Sequence, residues 1–201
     1  MKVALLFMLA ARITILAPNS GMQKDLEEGY KRHLEWHRAN ADRWTWYGWT
    51  VITGPRFGYL IDGTFHHAPA DFNAPVAPAE DAADNARNVF PYAHLAGTAF
   101  YQQRDDLSRG EAKLLESPFA LLATVEVTPG RERDFEAVMR RLDSDRACFE
   151  LLAGGTRPSY LLLFPAKTIS DTIRNIIPPS DAYRSVTVET LRYRADLTYV
   201  P

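Results

Sequence analysis

The chain has 201 residues, enough for one large domain or two small ones. Its 46% hydrophobic and 24% charged residues match ordinary globular proteins, which excludes a disordered or fibrous chain. The formal net charge of −2 provides no basic surface for nucleic acid or an anionic membrane, so we expect neither partner. No apolar run approaches the 18 residues of a membrane span.

The first residues combine features of a secretory leader and of a strand. Lys2 precedes an apolar run from Val3 to Ala11, as in a short signal peptide. Cleavage after Ala11 would place Leu9, which is not small, at the −3 position, and the run continues into the alternating segment 12–16. We therefore predict an uncleaved strand and a cytoplasmic protein, with a secreted ancestor left as the alternative.

The first half continues with a helix, a hairpin, a second helix and a closing strand. One helix face is apolar and a Gly54-Pro55 turn joins the hairpin strands. Asp71 is placed to cap the second helix, which we predict from Pro78 to Leu95. The residues of the first helix face recur at spacings of three and four: Leu26, Tyr30, Leu34 and His37.

The second half repeats this order. Its strand, helix face and Gly/Pro turn correspond to those of the first half, and Asp171 corresponds to Asp71. Pro178-Pro179 cuts the second helix short. The sharpest match is between the two closing segments, in which arginine, aspartate, leucine and a hydroxyl residue recur at one spacing: Arg104, Asp106, Leu107 and Ser108, then Arg194, Asp196, Leu197 and Thr198.

This duplication predicts an α+β fold of two tandem ferredoxin-like (βαββαβ) modules, with antiparallel sheets packed face to face as an α+β barrel. The modules are residues 1–108 and 119–201, and residues 109–118 link them. Strands such as 120–125 and 160–164 are apolar at successive positions, which indicates burial on both faces.

The element order and turns resemble the dimeric α+β barrel superfamily, which includes antibiotic-biosynthesis monooxygenases and NIPSNAP-like proteins. The resemblance implies two four-stranded sheets that meet face to face. It also implies that a tandem copy closes the barrel within one chain, as in chlorite dismutase-like and dye-decolorising peroxidase-like duplications. We expect a monomeric pseudo-dimer or a homodimer.

All histidines and tryptophans lie in the first half, which points to a site there. His33 and His37 share one helix face and are our catalytic candidates, as proton shuttles, although plain helix histidines are the alternative. A metal needs a third ligand, and Glu35 lies on another face, so we predict no metal. The predicted ligand-binding residues form an aromatic set, for which an aromatic core is the alternative: Trp36, Trp44, Trp46 and Tyr59.

Other polar residues receive structural interpretations. We place His66 and His67 in an exposed loop and His94 near the end of the second helix. Cys148 is predicted to be a buried, inert thiol. The Arg-x-Asp motifs at 104–106 and 194–196 are predicted to be structural ion pairs, because one active site need not appear twice.

Three functional hypotheses stay open. By resemblance to the monooxygenases, the protein binds or oxidises a small apolar or aromatic molecule without a cofactor. Alternatively, it is a non-catalytic binding or structural protein of the same fold. The third hypothesis is haem binding, by resemblance to relatives whose axial histidine lies in the C-terminal module; this chain has no histidine after His94.

Overall fold

The computed structural model describes residues 8–110, 112–174 and 176–201. The leader or strand discussed for residues 1–7 lies outside these ranges. Within them the chain forms eight strands and three α-helices. In chain order they are β1 (Ala10–Pro18), α1 (Gln23–Ala39), β2 (Tyr47–Val51), β3 (Leu60–His67), α2 (Pro78–Asn88), β4 (Ala93–Gln103), β5 (Phe119–Val127), α3 (Glu132–Arg141), β6 (Ala147–Ala153), β7 (Ser159–Ala166) and β8 (Tyr183–Tyr193).

The strands form one closed antiparallel barrel in the order β1-β3-β2-β8-β5-β7-β6-β4. The predicted barrel is present, and the edges of its two four-stranded parts are joined into one closed sheet. The junctions are β2 with β8, where Trp49 faces Tyr193, and β4 with β6, where Gln102 faces Glu150. Joining the edges satisfies backbone groups that two separate sheets would leave unpaired.

Apolar side chains fill the barrel and cover its outer wall. Strand alternation sends Trp49, Ile61 and Phe65 into the interior. A second apolar cluster lies between the wall and α3, and a third lies beneath α1. Residues 120–123 and 160–164 are buried at every position, which confirms the predicted burial of both strand faces. None of the helices in the described ranges is long and apolar enough to cross a bilayer.

The second helix of the first half is shorter than predicted. It ends at Asn88, not Leu95, because Pro91 cannot continue a helix and β4 begins at Ala93. His94 therefore lies exposed on a strand, and its predicted position at a helix end is wrong.

Asp71 and Asp171 occupy matching places in the two halves, but neither caps an α-helix. Each carboxylate accepts a 2.9 Å hydrogen bond from a backbone N–H three residues earlier, that of Ala68 or Thr168. Asp71 lies in a 3-10 turn over Pro69–Asn73 and Asp171 in one over Ser170–Thr172. The two aspartates thus cap short turns.

The two Arg-x-Asp motifs form the predicted ion pairs. Arg104 binds Asp106 at 2.9 Å and also Glu136 on α3 at 2.8 Å. Arg194 binds Asp196 at 2.9 Å and Glu27 on α1 at 2.8 Å. Each closing segment therefore contacts the first helix of the opposite half. The leucines that follow, Leu107 and Leu197, are fully buried under α3 and α1 respectively.

Cys148 is fully buried on β6. Burial raises the pKa of its thiol to about 12, so the thiolate needed for reaction is scarce at neutral pH. The prediction of a buried thiol is confirmed.

Candidate functional site

A cavity of about 280 Å³ lies between α1, α2 and the outer wall of the barrel formed by β1, β3 and β4. Its floor is polar, whereas Phe90 and Leu95 supply exposed apolar side chains at its rim. The polar residues that line it come from five elements: Arg12, Thr14, Tyr30, His33, His37, Asp62, Asp81, Asn85 and Thr98.

α1 places His33 and His37 one turn apart on its buried face, as the spacing predicted. Both side chains are buried, and their Nε2 atoms lie 3.1 Å apart. The pair lines the cavity described above. The structure therefore places the two catalytic candidates side by side in the cavity wall.

Each histidine is anchored through its other ring nitrogen. His33 Nδ1 lies 2.9 Å from Asp84 Oδ2 on α2, and His37 Nδ1 lies 2.7 Å from Asp42 Oδ2 in the turn after α1. An ionised carboxylate only accepts hydrogen bonds, so each Nδ1 donates, and Nε2 of a ring in its neutral form then presents a lone pair. Burial lowers the pKa of His33, although the hydrogen bond to Asp84 opposes this shift, which favours the neutral ring.

Asp42 is held firmly in the ionised form. Its carboxylate also accepts hydrogen bonds from Trp46 Nε1 at 2.8 Å and from the backbone N–H of Trp44 at 3.0 Å. Burial favours the neutral acid, but the hydrogen bonds from His37, Trp46 and Trp44 outweigh it and lower the pKa of Asp42. The orientation of His37 is therefore fixed by a buried, charged acceptor.

A carboxylate from α2 converges on the histidine pair. Asp81 Oδ1 lies 3.4 Å from His33 Nε2 and 3.8 Å from His37 Nε2. A third candidate ligand thus reaches the histidines; the sequence prediction considered only Glu35 on the same helix, and Asp81 comes from another. One signal could have found it: polar side chains form a stripe along α2 at helical spacing, namely Asp81, Asp84, Asn85 and Asn88.

Asp62 on β3 is a second functional candidate that sequence reasoning missed. Its Oδ2 accepts a 3.2 Å hydrogen bond from the Tyr30 hydroxyl, while its buried Oδ1 has no partner among the described residues. Burial raises the pKa of Asp62 to about 6. The half-buried Arg12 lines the same cavity, with its guanidinium carbon 4.9 Å from the centre of the Trp46 ring.

The predicted aromatic ligand-binding residues do not form one wall. Trp46 lines the cavity, and the half-buried Trp36 stacks near His33 with ring centroids 6.0 Å apart. Trp44 packs instead against Trp46 and His67. Tyr59 belongs to the opposite side of the sheet, where it packs against the interior cluster. Of the four, Trp46 and Trp36 lie at the histidine site.

His67 also differs from its predicted position in an exposed loop. It lies on β3, is buried and contacts the Thr64 hydroxyl. His66, which precedes it, is exposed. His66 has a φ of 66°, and the β1–β3 register shifts between Ala10 and Arg12, so regular alternation ends here and His67 reaches Thr64 while His66 faces solvent.

A separate apolar cavity of about 160 Å³ lies inside the barrel, with Arg56 as its one charged lining residue among those described. Its lining includes Ile13, Trp49, Phe65 and Phe149. It lies on the opposite face of the sheet from the histidines. The histidines and the apolar cavity, which a single ligand pocket would combine, thus lie in two separate spaces.

No protein-family model matches the chain, and no curated protein is similar to it in sequence. Solved structures are similar across almost its full length. A protein from Lactobacillus acidophilus, provisionally named a monooxygenase, is 11% identical, with a TM-score of 0.58 and 96% of each chain covered. A similarly named protein from Fusobacterium nucleatum is 9% identical, with a TM-score of 0.62, and the match covers 94% of this chain and 93% of that one.

Chlorite dismutase from Candidatus Nitrospira defluvii, in complex with imidazole, is 8% identical with a TM-score of 0.56. That match covers 91% of this chain and 90% of the other. At such identities the likeness establishes the fold alone. The chain has the α+β barrel fold of chlorite dismutase-like proteins.

The residues of the second half do not fit a haem group. The space between α3 and the barrel wall is filled by fully buried side chains, among them Phe135, Met139 and Tyr160. No histidine follows His94 in the sequence.

Proposed function

We propose that the protein is an enzyme that binds a small aromatic molecule in the cavity between α1, α2 and the barrel wall, and takes a proton from its hydroxyl group as the first step of oxidation. The observation that carries this proposal is Asp62, a buried carboxyl group that lines the same cavity as the histidine pair and has one oxygen without a partner among the described residues. The fold shared with proteins named as monooxygenases supports it.

The chemistry follows from the positions of the polar groups. A general base is most effective when its pKa is close to the working pH, and Asp62 meets this condition. Tyr30 holds the other carboxylate oxygen, and Arg12 offers positive charge to the phenolate that forms. The histidine pair supplies a polar wall for a second hydroxyl group. Phe90 and Leu95 can contact the apolar part of the ring.

Hydroquinone illustrates the balance of the reaction. The substrate loses two protons and two electrons to become a quinone, and dioxygen takes up both pairs to become hydrogen peroxide. The protein's part is to remove the first proton and to hold the ring. A cavity of about 280 Å³ suits a one-ring substrate, being just below the range of roughly 300–1,000 Å³ for drug-sized ligands.

Replacing Asp62 with asparagine is expected to lower kcat for hydroquinone oxidation roughly 100-fold or more, the usual contribution of a general base. His33→Ala and His37→Ala should also lower it. In the wild type, kcat/KM should fall below about pH 6, because a protonated carboxyl group cannot accept the substrate proton. An oxygen electrode measures all of these rates.

Asp25→Asn is the matched control, since this exposed carboxylate at the start of α1 is remote from the chemistry. Equal rates in the wild type and Asp62→Asn would refute the assigned role of Asp62. Ligand binding by a wild-type protein that consumes no oxygen would favour the non-catalytic binding alternative.

The stability of Asp62→Asn provides an independent test. A carboxyl group whose folded-state pKa is raised from 3.8 to about 6 binds its proton more tightly when folded. Its contribution therefore disfavours folding above pH 6, and the unfolding free energy rises as pH falls from 6 towards 4. Asp62→Asn should thus unfold at a higher temperature than the wild type at pH 7. A purely structural role for Asp62 would lower the melting temperature instead.

We also infer that the two halves arose by tandem duplication and that the protein is a monomeric pseudo-dimer. The strand order β4-β1-β3-β2 of the first half corresponds to β8-β5-β7-β6 of the second, which supports the duplication. Closure within one chain leaves β1–β8 with no free sheet edge for another copy, which supports a monomer. Sedimentation at a mass near 22.7 kDa would agree with this inference, and a stable dimer would contradict it.

A further inference from the structure

We propose that His33, His37 and Asp81 bind a divalent transition-metal ion at the wall of the cavity between α1 and α2. The donors are two imidazole nitrogens and one carboxylate oxygen, all within 4.8 Å of one another. This inference goes beyond the proposed oxidation, because metal binding can be measured without any turnover.

The spacing of the donors suits a coordinated ion. Ligands roughly 2.1 Å from a metal lie about 3.0 Å apart at right angles and about 3.4 Å apart at the tetrahedral angle. The Nε2 atoms of His33 and His37 are 3.1 Å apart, and Asp81 Oδ1 is 3.4 and 3.8 Å from them. Shifts of a few tenths of an ångström in Asp81 complete the geometry.

The direction of the lone pairs gives an independent reason to place a cation here. Because both Nδ1 atoms donate to carboxylates, both Nε2 atoms are acceptors in the neutral rings that metal binding requires, and they face each other. Asp81 adds a third acceptor at the same point. Acceptors that converge in this way repel one another unless a positive charge lies between them.

Asn85 contacts two of these three acceptors and could itself bind the ion. Its amide nitrogen lies 3.1 Å from His33 Nε2 and 3.3 Å from Asp81 Oδ1. Half a turn of the amide would present its oxygen instead, as a further ligand. The choice between the two orientations follows from the hydrogen bonds that are available.

The surroundings of the histidines have the form found at metal sites. Metal-ligating histidines usually donate their second ring nitrogen to a carboxylate, which fixes the ring and makes it a better ligand. Asp84 and Asp42 do this for His33 and His37. Asp84 is fixed in turn by a 2.9 Å hydrogen bond from Asn88, and Asp42 by the one from Trp46.

Three protein donors leave coordination positions open towards the cavity, which is the arrangement of a catalytic rather than a structural ion. Two histidines with one carboxylate suit Fe²⁺ and Zn²⁺, and this combination is found in non-haem iron oxygenases. An ion here would lie in the wall of the same cavity as Asp62, where it could hold a hydroxyl group of the substrate.

The test is a titration of the full-length protein after removal of metals with a chelator. Cobalt(II) is the first probe, because its visible absorption reports on coordination by protein ligands, and Zn²⁺ and anaerobic Fe²⁺ follow by calorimetry. We expect one ion per chain and a higher melting temperature in its presence. Asp81→Asn and His33→Gln should weaken binding at least 100-fold, and Asp84→Asn should weaken it 10- to 100-fold.

Glu80→Gln is the matched control, because this exposed neighbour on α2 should leave the affinity unchanged. Circular dichroism of each variant checks that it is folded. Absence of cobalt binding in the folded wild type, or equal affinity in Asp81→Asn, would overturn the proposal. Metal binding without hydroquinone oxidation would refute the proposed function and leave the metal site intact. Oxidation by the metal-free protein would show that the proposed function does not need the metal.

Discussion

Replacing Gly29 with alanine should separate α1 from α2 and destabilise the protein by about 1–3 kcal/mol or more, the usual cost of overpacking. A Cβ atom at Gly29 would lie 1.9 Å from the backbone carbonyl oxygen of Asn88 and 3.1 Å from the Tyr92 ring. A backbone oxygen cannot turn away as a flexible side chain can, so α2 itself must move. That movement would carry Asp81 and Asp84 away from the histidines, and cobalt binding should weaken as well.

The sign of the effect makes this test decisive. In a helix interior without a clash, glycine to alanine stabilises by about 1 kcal/mol. Gly97→Ala is the control, because a Cβ there meets nothing within 4 Å. Urea unfolding of both variants measures the difference. Increased stability of Gly29→Ala would show that the close approach of the two helices is not required.

Arg56→Ala should destabilise the protein by about 3–5 kcal/mol, because it leaves a buried carboxylate without its partner. Glu189 on β8 is only 1% exposed. Its Oε1 accepts a hydrogen bond from the Arg56 backbone N–H at 3.0 Å, and both carboxylate oxygens contact the Arg56 guanidinium. The pair connects the β2–β3 hairpin of the first half to the last strand of the second.

Arg157→Ala is the matched control for this prediction. Arg157 occupies the corresponding β6–β7 turn but is exposed, so its loss should change the unfolding free energy by less than about 0.5 kcal/mol. The double variant Arg56→Ala/Glu189→Gln should recover much of the lost stability, since the unpaired charge is gone. Equal effects of the two arginine substitutions in urea unfolding would contradict the assigned role of Glu189.

Much of the fold could be predicted from local pattern. Alternating strands, the helix face of Leu26, Tyr30 and Leu34, and the repeated closing segments are all visible in the sequence. Barrel closure was expected from the resemblance, because local pattern alone does not reveal which sheet edges meet in space. Pro91 marks the end of α2 at Asn88, whereas the polar composition of residues 78–95 predicted a longer helix.

The site was predictable only where it lies on one element. His33 and His37 share a face of α1 because of their spacing, which any helix imposes. Asp81 reaches them because Gly29 lets α2 approach α1 closely, a tertiary event that no single helix reveals. Asp62 is one polar residue within a buried strand, and its raised pKa comes from neighbours distant in the chain. The same alternation that buries Asp62 under α1 sends Ile61 into the barrel.

The segment 109–118 differs from an ordinary domain boundary, because the closing segment of each half packs against the other half. Leu107 completes the packing beneath α3, and Leu197 completes it beneath α1. Each half thus contributes a leucine to the core of the other, as subunits do in a domain-swapped dimer. A cut within residues 109–118 would therefore leave each of the two helices without the leucine that completes the packing beneath it.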